Sequence, residues 1–149
     1  MPAIIVIDSA KQFDFNNINI DDIYNGIGEK SNDLNNYCNY LSEISSGIND
    51  KEIFYLIYKW VANNIQYDSG NHIEPQDVLT NKKGSYSGYA NLFTKLLTCL
   101  NVPVDNIKNI KGHSKGIGFN YEDSISDDNT NHEWNAVKID NKWCLIDTT

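Results

Sequence analysis

The stretch that decides the fold is Lys83-Gly84-Ser85-Tyr86-Ser87-Gly88-Tyr89-Ala90-Asn91-Leu92-Phe93. Its two glycines allow a tight loop, and from Ser87 the apolar residues recur at helical spacing as far as Leu100. The first turn of a helix offers free backbone N–H groups and the positive end of the helix dipole, which favour an anionic nucleophile. Tyr86 stands at this position, midway between the glycines.

A predicted β-hairpin near the other end of the chain supplies two further polar side chains. Residues 134–139 and 142–147 flank a tight turn at Asp140-Asn141, whose residue types suit such a turn. Residues at equal distances from the turn should pair, so His132 would lie across from about position 149 and close to Asp147. A hydrogen bond between His132 and Asp147 is therefore expected.

A His–Asp pair facing the start of a helix is typical of sites with an activated nucleophile. The imidazole takes the proton of the nucleophile, and the carboxylate orients the imidazole. The predicted site is therefore Tyr86, His132 and Asp147, with Tyr86 at the nucleophile position. A phenol is a poor nucleophile at neutral pH, because phenols ionise only near pH ~10.

Two serines flank Tyr86 and are the alternative nucleophiles. One step along a helix turns the side chain by about 100°, so Ser85 and Ser87 are expected to point away from His132. Ser87 is better explained as the N-cap of the helix. A serine mechanism remains open as the lesser alternative.

The three cysteines predict neither a nucleophile nor a disulfide framework. Cys38 and Cys99 are expected to be small buried side chains, and Cys144 is expected to face away from Asp147 on its strand. The apolar run 3–7 is too short for a signal peptide and has no charged residues before it. A cytoplasmic, reducing location is therefore expected.

The composition indicates one domain with an acidic surface. The chain has 149 residues and a net charge of −8, and all 12 basic residues are lysines. An acidic surface without arginine argues against binding to nucleic acids or anionic membranes, and no stretch approaches transmembrane length. His72, His113 and His132 lack the spacing of metal ligands, and the acidic stretch at 122–128 lacks a calcium-loop pattern. No metal or cofactor is expected.

The order of the remaining segments predicts an α+β fold, with N-terminal helices packed on a C-terminal antiparallel β-sheet. Residues 1–30 are interpreted as an irregular N-terminal arm and residues 31–149 as the domain. The patterns predict one helix from Ser31-Asn32-Asp33 to Ser45-Ser46-Gly47 and a second, stronger helix that begins at Asn49-Asp50. They also predict a loop over 68–84 that contains a short turn at 76–79. Strands are expected at 107–112 and 117–119, followed by a polar loop over 121–131.

These motifs, taken in order, resemble the transglutaminase-like superfamily and in particular its kyphoscoliosis peptidase subgroup. The resemblance is carried by residues 58–68, 77–79, 83–93, 111–116, 131–137 and 143–149. It implies a papain-like core, in which a helix bears a nucleophilic cysteine at its N-terminus and a sheet supplies the histidine and the aspartate. By position, the family's histidine is His132, its aspartate is Asp147, and its cysteine falls on Tyr86.

The family contains amide-bond transferases, peptidases and members without activity. Tyr86 at the cysteine position implies a catalytically inactive domain that binds a protein or peptide partner through the cleft or through loops such as 121–131. The alternative is a papain-like peptidase or protein-glutamine amide transferase, acting through a serine or as the Tyr86 variant of a cysteine site. Related domains continue beyond the equivalent of Thr149, so the resemblance implies a truncated or a naturally shortened C-terminus.

Overall fold

The computed structural model describes residues 18–27, 32–113 and 130–149. The predictions for residues 1–17, 117–119 and 121–129 lie outside these residues. Along the chain the elements are α1 (Asp21–Gly26), α2 (Leu34–Ile44), α3 (Asp50–Asn64), β1 (Gln66–Tyr67), α4 (Pro75–Asn81), β2 (Lys83–Gly84), α5 (Tyr86–Cys99), a 3-10 turn (Val104–Asn106), β3 (Ile107–Gly112), β4 (His132–Ile139) and β5 (Lys142–Ile146).

Local capping signals fix the starts of the two first long helices, as predicted. The side chain of Asp33 accepts a hydrogen bond from the backbone N–H of Asn36 at 2.9 Å and caps α2. Asn49 and Glu52 form a capping box at the start of α3, each side chain accepting from the other residue's backbone N–H. Both predicted helices are confirmed.

Two segments are more regular than predicted, and the turn expected at 76–79 is part of one of them. Residues 21–26 form the short helix α1 within the predicted arm, and residues 75–81 form α4 within the predicted loop. Pro75 occupies the first turn of α4, where its missing N–H is harmless. Strands β1 and β2 pair in parallel over two residues each. Segments this short carry no hydrophobic period, so the sequence pattern does not reveal them.

The predicted hairpin is confirmed in its register. β3, β4 and β5 form an antiparallel sheet in that order, and Ile139 pairs with Lys142 across the turn. Asp140 and Asn141 both have positive φ, at 49° and 66°, as a two-residue type I′ turn requires. Asp and Asn tolerate this conformation better than most residues, which explains why the turn forms here.

Helix α5 is the centre of the molecule. It packs against α2, α3 and α4 on one side and against β3 and β4 on the other. Its apolar side chains are almost completely buried in a single core. The structure is therefore of the α+β class, with helices packed on a C-terminal antiparallel sheet as predicted, and this packing positions the N-terminus of α5 beside the sheet.

Cys38 and Cys99 form a disulfide that joins α2 to the last residue of α5, with the Cα atoms 5.4 Å apart. The prediction of unpaired cysteines at these positions is therefore wrong. The two residues are 61 positions apart, and only the packing of the two helices brings them together. Cys144 is the free cysteine. Among the described residues, no helix is both long enough and apolar enough to cross a membrane.

Candidate functional site

The site begins at the first turn of α5. The hydroxyl of Ser85 accepts a hydrogen bond from the backbone N–H of Gly88 at 3.3 Å, so Ser85 is the N-cap and Tyr86 is the first helical residue. The prediction of Ser87 as the N-cap is wrong by two residues. The backbone N–H of Ser85 donates a hydrogen bond to the carbonyl oxygen of His72 at 3.2 Å. This contact with the loop before α4 holds Ser85 at the start of the helix, and the sequence does not show it.

The structure brings the three predicted site residues together. Nε2 of His132 lies 2.7 Å from Oδ2 of Asp147, and the ring centroids of Tyr86 and His132 are 5.7 Å apart. The other carboxylate oxygen of Asp147 accepts from the backbone N–H of Thr149 at 3.1 Å. The expected His132–Asp147 hydrogen bond is therefore present, and the chemical role of the three residues stays a prediction.

Trp134 completes a row of three rings that the sequence did not single out. Its indole stacks on His132 with a centroid distance of 5.7 Å and an interplanar angle of 25°. The indole also lies over Gly112, where any Cβ would collide with it. Because residues two apart on a strand share a face, the position of Trp134 relative to His132 is the signal that could have revealed it.

A buried carboxylate lies directly beside His132 in the sequence. Glu133 is only 4% exposed, and its Oε2 accepts from the hydroxyl of Ser87 at 2.5 Å. Its Oε1 accepts from the side-chain amide of Asn109 at 3.4 Å. The prediction that Ser87 points away from His132 is confirmed, and Glu133 joins the first turn of α5 to the sheet.

Asn135 continues this polar contact between helix and sheet. Its completely buried side-chain amide donates to the carbonyl oxygen of Ala90 at 3.3 Å and to the hydroxyl of Thr94 at 3.0 Å. It also donates to Oδ1 of Asn109 at 3.0 Å. These donated bonds join α5 to the sheet, whereas the Oδ1 of Asn135 is buried without a hydrogen-bond partner among the described residues.

No cysteine of the chain lies within reach of His132. Cys99 ends the helix that Tyr86 begins, which places it ~20 Å from Tyr86 at the rise of an α-helix. Cys144 pairs with Val137, five residues along β4 and thus ~17 Å from His132. Burial raises the pKa of the Cys144 thiol, which further disfavours its thiolate.

A second histidine–aspartate pair lies near the start of α4. Nδ1 of His72 is 2.6 Å from Oδ2 of Asp77, and Oδ1 of Asp77 accepts from the side chain of Asn81 at 2.6 Å. The described residues contain no group of three or more side chains suited to hold a metal ion. His72 and Asp77 thus act together as a local contact between the loop and α4.

Comparisons with known proteins establish the family. The model of the "Transglutaminase-like superfamily" matches residues 39–148, most of the chain, and the protein therefore belongs to this superfamily. Kyphoscoliosis peptidase from Homo sapiens and that from Mus musculus are each 31% identical to the chain in an alignment 112 residues long, which covers 67% of this chain. The chain spans only 16% of the length of these two relatives.

A solved structure supports the fold. The chain resembles a "Putative Cysteine Protease" from Cytophaga hutchinsonii with a TM-score of 0.57 and 17% identity, over 95% of this chain and 46% of that one. At this identity the similarity concerns the fold alone. The predicted transglutaminase-like, papain-like fold is confirmed.

Proposed function

We propose that this protein is a catalytically inactive transglutaminase-like domain that binds a protein or peptide partner. The observation that carries the proposal is the lack of any thiol beside His132, because all three cysteines lie in the described residues and far from it. The side chain beside His132 at the start of α5 is the phenol of Tyr86. A phenol does not supply the thiolate that cysteine chemistry requires.

The site at the start of α5 has features suited to binding. Three half-buried rings, those of Tyr86, His132 and Trp134, line it, and the carboxylate of Asp147 is about half exposed at its edge. Aromatic side chains contribute much contact area at protein interfaces and lose little conformational entropy. We infer that a protein or peptide segment is the ligand, and that the lack of arginine disfavours nucleic acid.

The second candidate is an enzyme of the papain-like type, a peptidase or a protein-glutamine amide transferase. The observation that favours it is the His132–Asp147 contact at 2.7 Å, which keeps an imidazole oriented beside the helix start. The name of the kyphoscoliosis peptidases points the same way, but the chain spans a small part of those proteins. Ser87 is a poor nucleophile for this candidate, because its hydroxyl is bonded to Glu133.

The test restores a thiol at the helix start. In a Cys144→Ser background, Tyr86→Cys is alkylated across a range of pH, with and without His132→Ala. We expect fast alkylation that persists well below the pH of ~8.5 at which a free thiol ionises, and that depends on His132. Slow alkylation that His132→Ala does not change would show that His132 does not activate a thiol at position 86, and the assignment of this position to the site would be wrong.

One control variant and one activity assay separate the inactive domain from the enzyme. Tyr67→Cys, at an exposed tyrosine elsewhere on the domain, reports the reactivity of an ordinary surface thiol. The unmodified protein is assayed for peptide cleavage and for incorporation of a fluorescent amine into glutamine substrates, and no turnover is expected. Turnover that His132→Ala abolishes would overturn the inactive assignment and establish the enzyme.

We keep the cytoplasm as the proposed location, although the Cys38–Cys99 disulfide of the structure argues against a reducing compartment. Disulfides are rare in reducing compartments, so a cytoplasmic domain should carry both residues as thiols. The test alkylates intact cells before lysis and measures the mass of the protein. Two blocked thiols at Cys38 and Cys99 support the cytoplasm, whereas protection of both residues places the domain in an oxidising compartment.

A further inference from the structure

The face of the sheet opposite α5 has no helix against it among the described residues. Asn109, Glu133 and Asn135 point toward α5, since each bonds a residue of that helix. Because side chains alternate along strands, the residues between them point to the other side. We call this side the outer face, and it consists of Lys108, Ile110, Gly112, His132, Trp134, Ala136, Lys138, Trp143 and Leu145.

The outer face is apolar and aromatic in its middle. Trp134 and Leu145 are half-buried there, on either side of Ala136, and Trp143 lies beside them. The Nζ of Lys138 sits 5.8 Å from the centre of the Trp143 ring, which confirms that the two side chains share this face. Half-buried aromatic side chains next to lysine stems form a surface suited to protein contacts.

The charge of this sheet is opposite to that of the protein. Its three strands contain four lysines and a single acidic residue, Glu133, which is buried on the other side. Lys108 and Lys138 belong to the outer face, whereas Lys111 and Lys142 are in register with Glu133 and Ile139 on the opposite side. The chain as a whole has a net charge of −8. Two carboxylates near the strand ends are already engaged, Asp140 with Lys51 at 2.8 Å and Asp147 with His132 at 2.7 Å.

We propose that the outer face docks an acidic segment of a partner protein that also brings apolar side chains. Its lysines attract such a segment, and the acidic remainder of the domain repels it from other surfaces, so charge selects both the partner and the place. The face is continuous with the candidate site, because His132 and Trp134 belong to both. The inference thus rests on the proposed function as a binding module and names its partner class.

The probe is a displayed library of random linear peptides, selected against the whole chain. Enriched peptides are expected to be rich in Asp and Glu and to contain Leu or Phe. Their affinity is then measured by fluorescence polarisation against Lys108→Glu/Lys138→Glu and against Leu145→Gln. The double charge reversal should raise the Kd by about tenfold or more, and binding should weaken as ionic strength rises.

The matched control is Lys83→Glu/Lys95→Glu, two exposed lysines outside the outer face that give the same net charge. It should change the Kd by less than about threefold. Circular dichroism and thermal melts confirm that every variant is folded. Equal weakening by both double variants, enrichment of neutral or basic peptides, or enrichment of none would overturn the proposal.

Two further outcomes identify other occupants. If light scattering shows a dimer that Lys108→Glu/Lys138→Glu dissociates, the face binds a second copy and the acidic partner is wrong. If the enriched peptides lose affinity on Tyr86→Ala but tolerate the lysine reversals, the peptides bind at the candidate site and the proposal for the outer face is wrong. The proposed function is tested separately by the enzyme assays, in which turnover would show that the domain is not catalytically inactive.

Discussion

Glu133 and Asn135 are two buried polar side chains of β4 that hydrogen-bond to α5. The Glu133 carboxylate is buried and accepts hydrogen bonds from the hydroxyl of Ser87 and the side-chain amide of Asn109. A buried carboxylate is tolerated only when such donors replace water. Ser87 follows Tyr86 and Glu133 follows His132, so one hydrogen bond sets the spacing of the two residues that face each other in the site.

Replacing Glu133 by Ala should lower the free energy of unfolding by about 1–3 kcal/mol, because the hydrogen bonds that Ser87 and Asn109 donate to its buried carboxylate are lost. Glu133→Gln keeps the side-chain size and an amide oxygen that can accept from Ser87, so it should be the milder change. Urea unfolding followed by tryptophan fluorescence measures both. A neutral effect of Glu133→Ala, or a Gln variant as unstable as the Ala variant, contradicts this role.

Helix α5 is fixed at its start by a backbone contact as well as by side chains. The carbonyl oxygen of His72 lies so close to Gly88 that any Cβ there would collide with it. Val78 would be 3.0 Å from the same Cβ. Residue 88 must therefore lack a side chain so that the loop can cross the helix, which explains a glycine inside a helical turn where it is otherwise unfavourable.

Gly88→Ala is expected to lower the free energy of unfolding by about 1–3 kcal/mol, although alanine is the better helix former. Gly26→Ala is the matched control, because Gly26 also lies in a helix and nothing lies within 4 Å of its Cβ position. That control should be neutral or stabilising. Chemical denaturation compares the two variants, and equal effects would refute the steric argument.

Elements with local signals are those that the sequence predicts well. The capping box at Asn49 and the Asp140-Asn141 turn each specify their conformation within a few residues, so α3 and the register of the hairpin are correct. The start of α5 is misplaced because Ser85 and Ser87 are both competent N-caps. Only the hydrogen bond from Ser85 to the loop at His72, a long-range contact, decides between them.

The parts of the site that sequence reasoning missed depend on tertiary packing. Glu133 in a strand suggests a solvated charge, and only the approach of Ser87 from α5 makes it a buried acceptor. The hairpin register predicted that His132 meets Asp147, because the pairing follows from counting residues on either side of the turn, and the resemblance pointed to the same two positions. It could not reveal the row of rings with Trp134, which needs the coordinates of β4.

At the scale of the whole molecule, the Cys38–Cys99 bond closes a long loop that contains α3, α4 and the whole of α5. A cross-link between residues 61 positions apart strongly reduces the conformational entropy of the unfolded chain. In the chain-entropy treatment such a loop stabilises the folded state by about 4 kcal/mol. The bond joins the C-terminal end of α5 to α2, while the site lies at the other end of the helix.

Reduction should therefore lower the melting temperature by about 10 °C without removing the site. Thermal melts with and without a reducing agent measure the shift. The Cys38→Ser/Cys99→Ser variant should melt near the reduced protein and show no response to reductant. An unchanged melting temperature on reduction, with both thiols shown free by mass, would mean that the bond adds no stability.

His132 and Asp147 lie on one hairpin, whereas position 86 lies on a separate helix. The hairpin holds its two residues in contact without any atom of residue 86. A mutation at position 86 can therefore change the side chain beside His132 while the contact between the imidazole and the carboxylate persists. The codons of tyrosine and cysteine differ by one base, so this gene stands a single nucleotide change from a thiol at the start of α5.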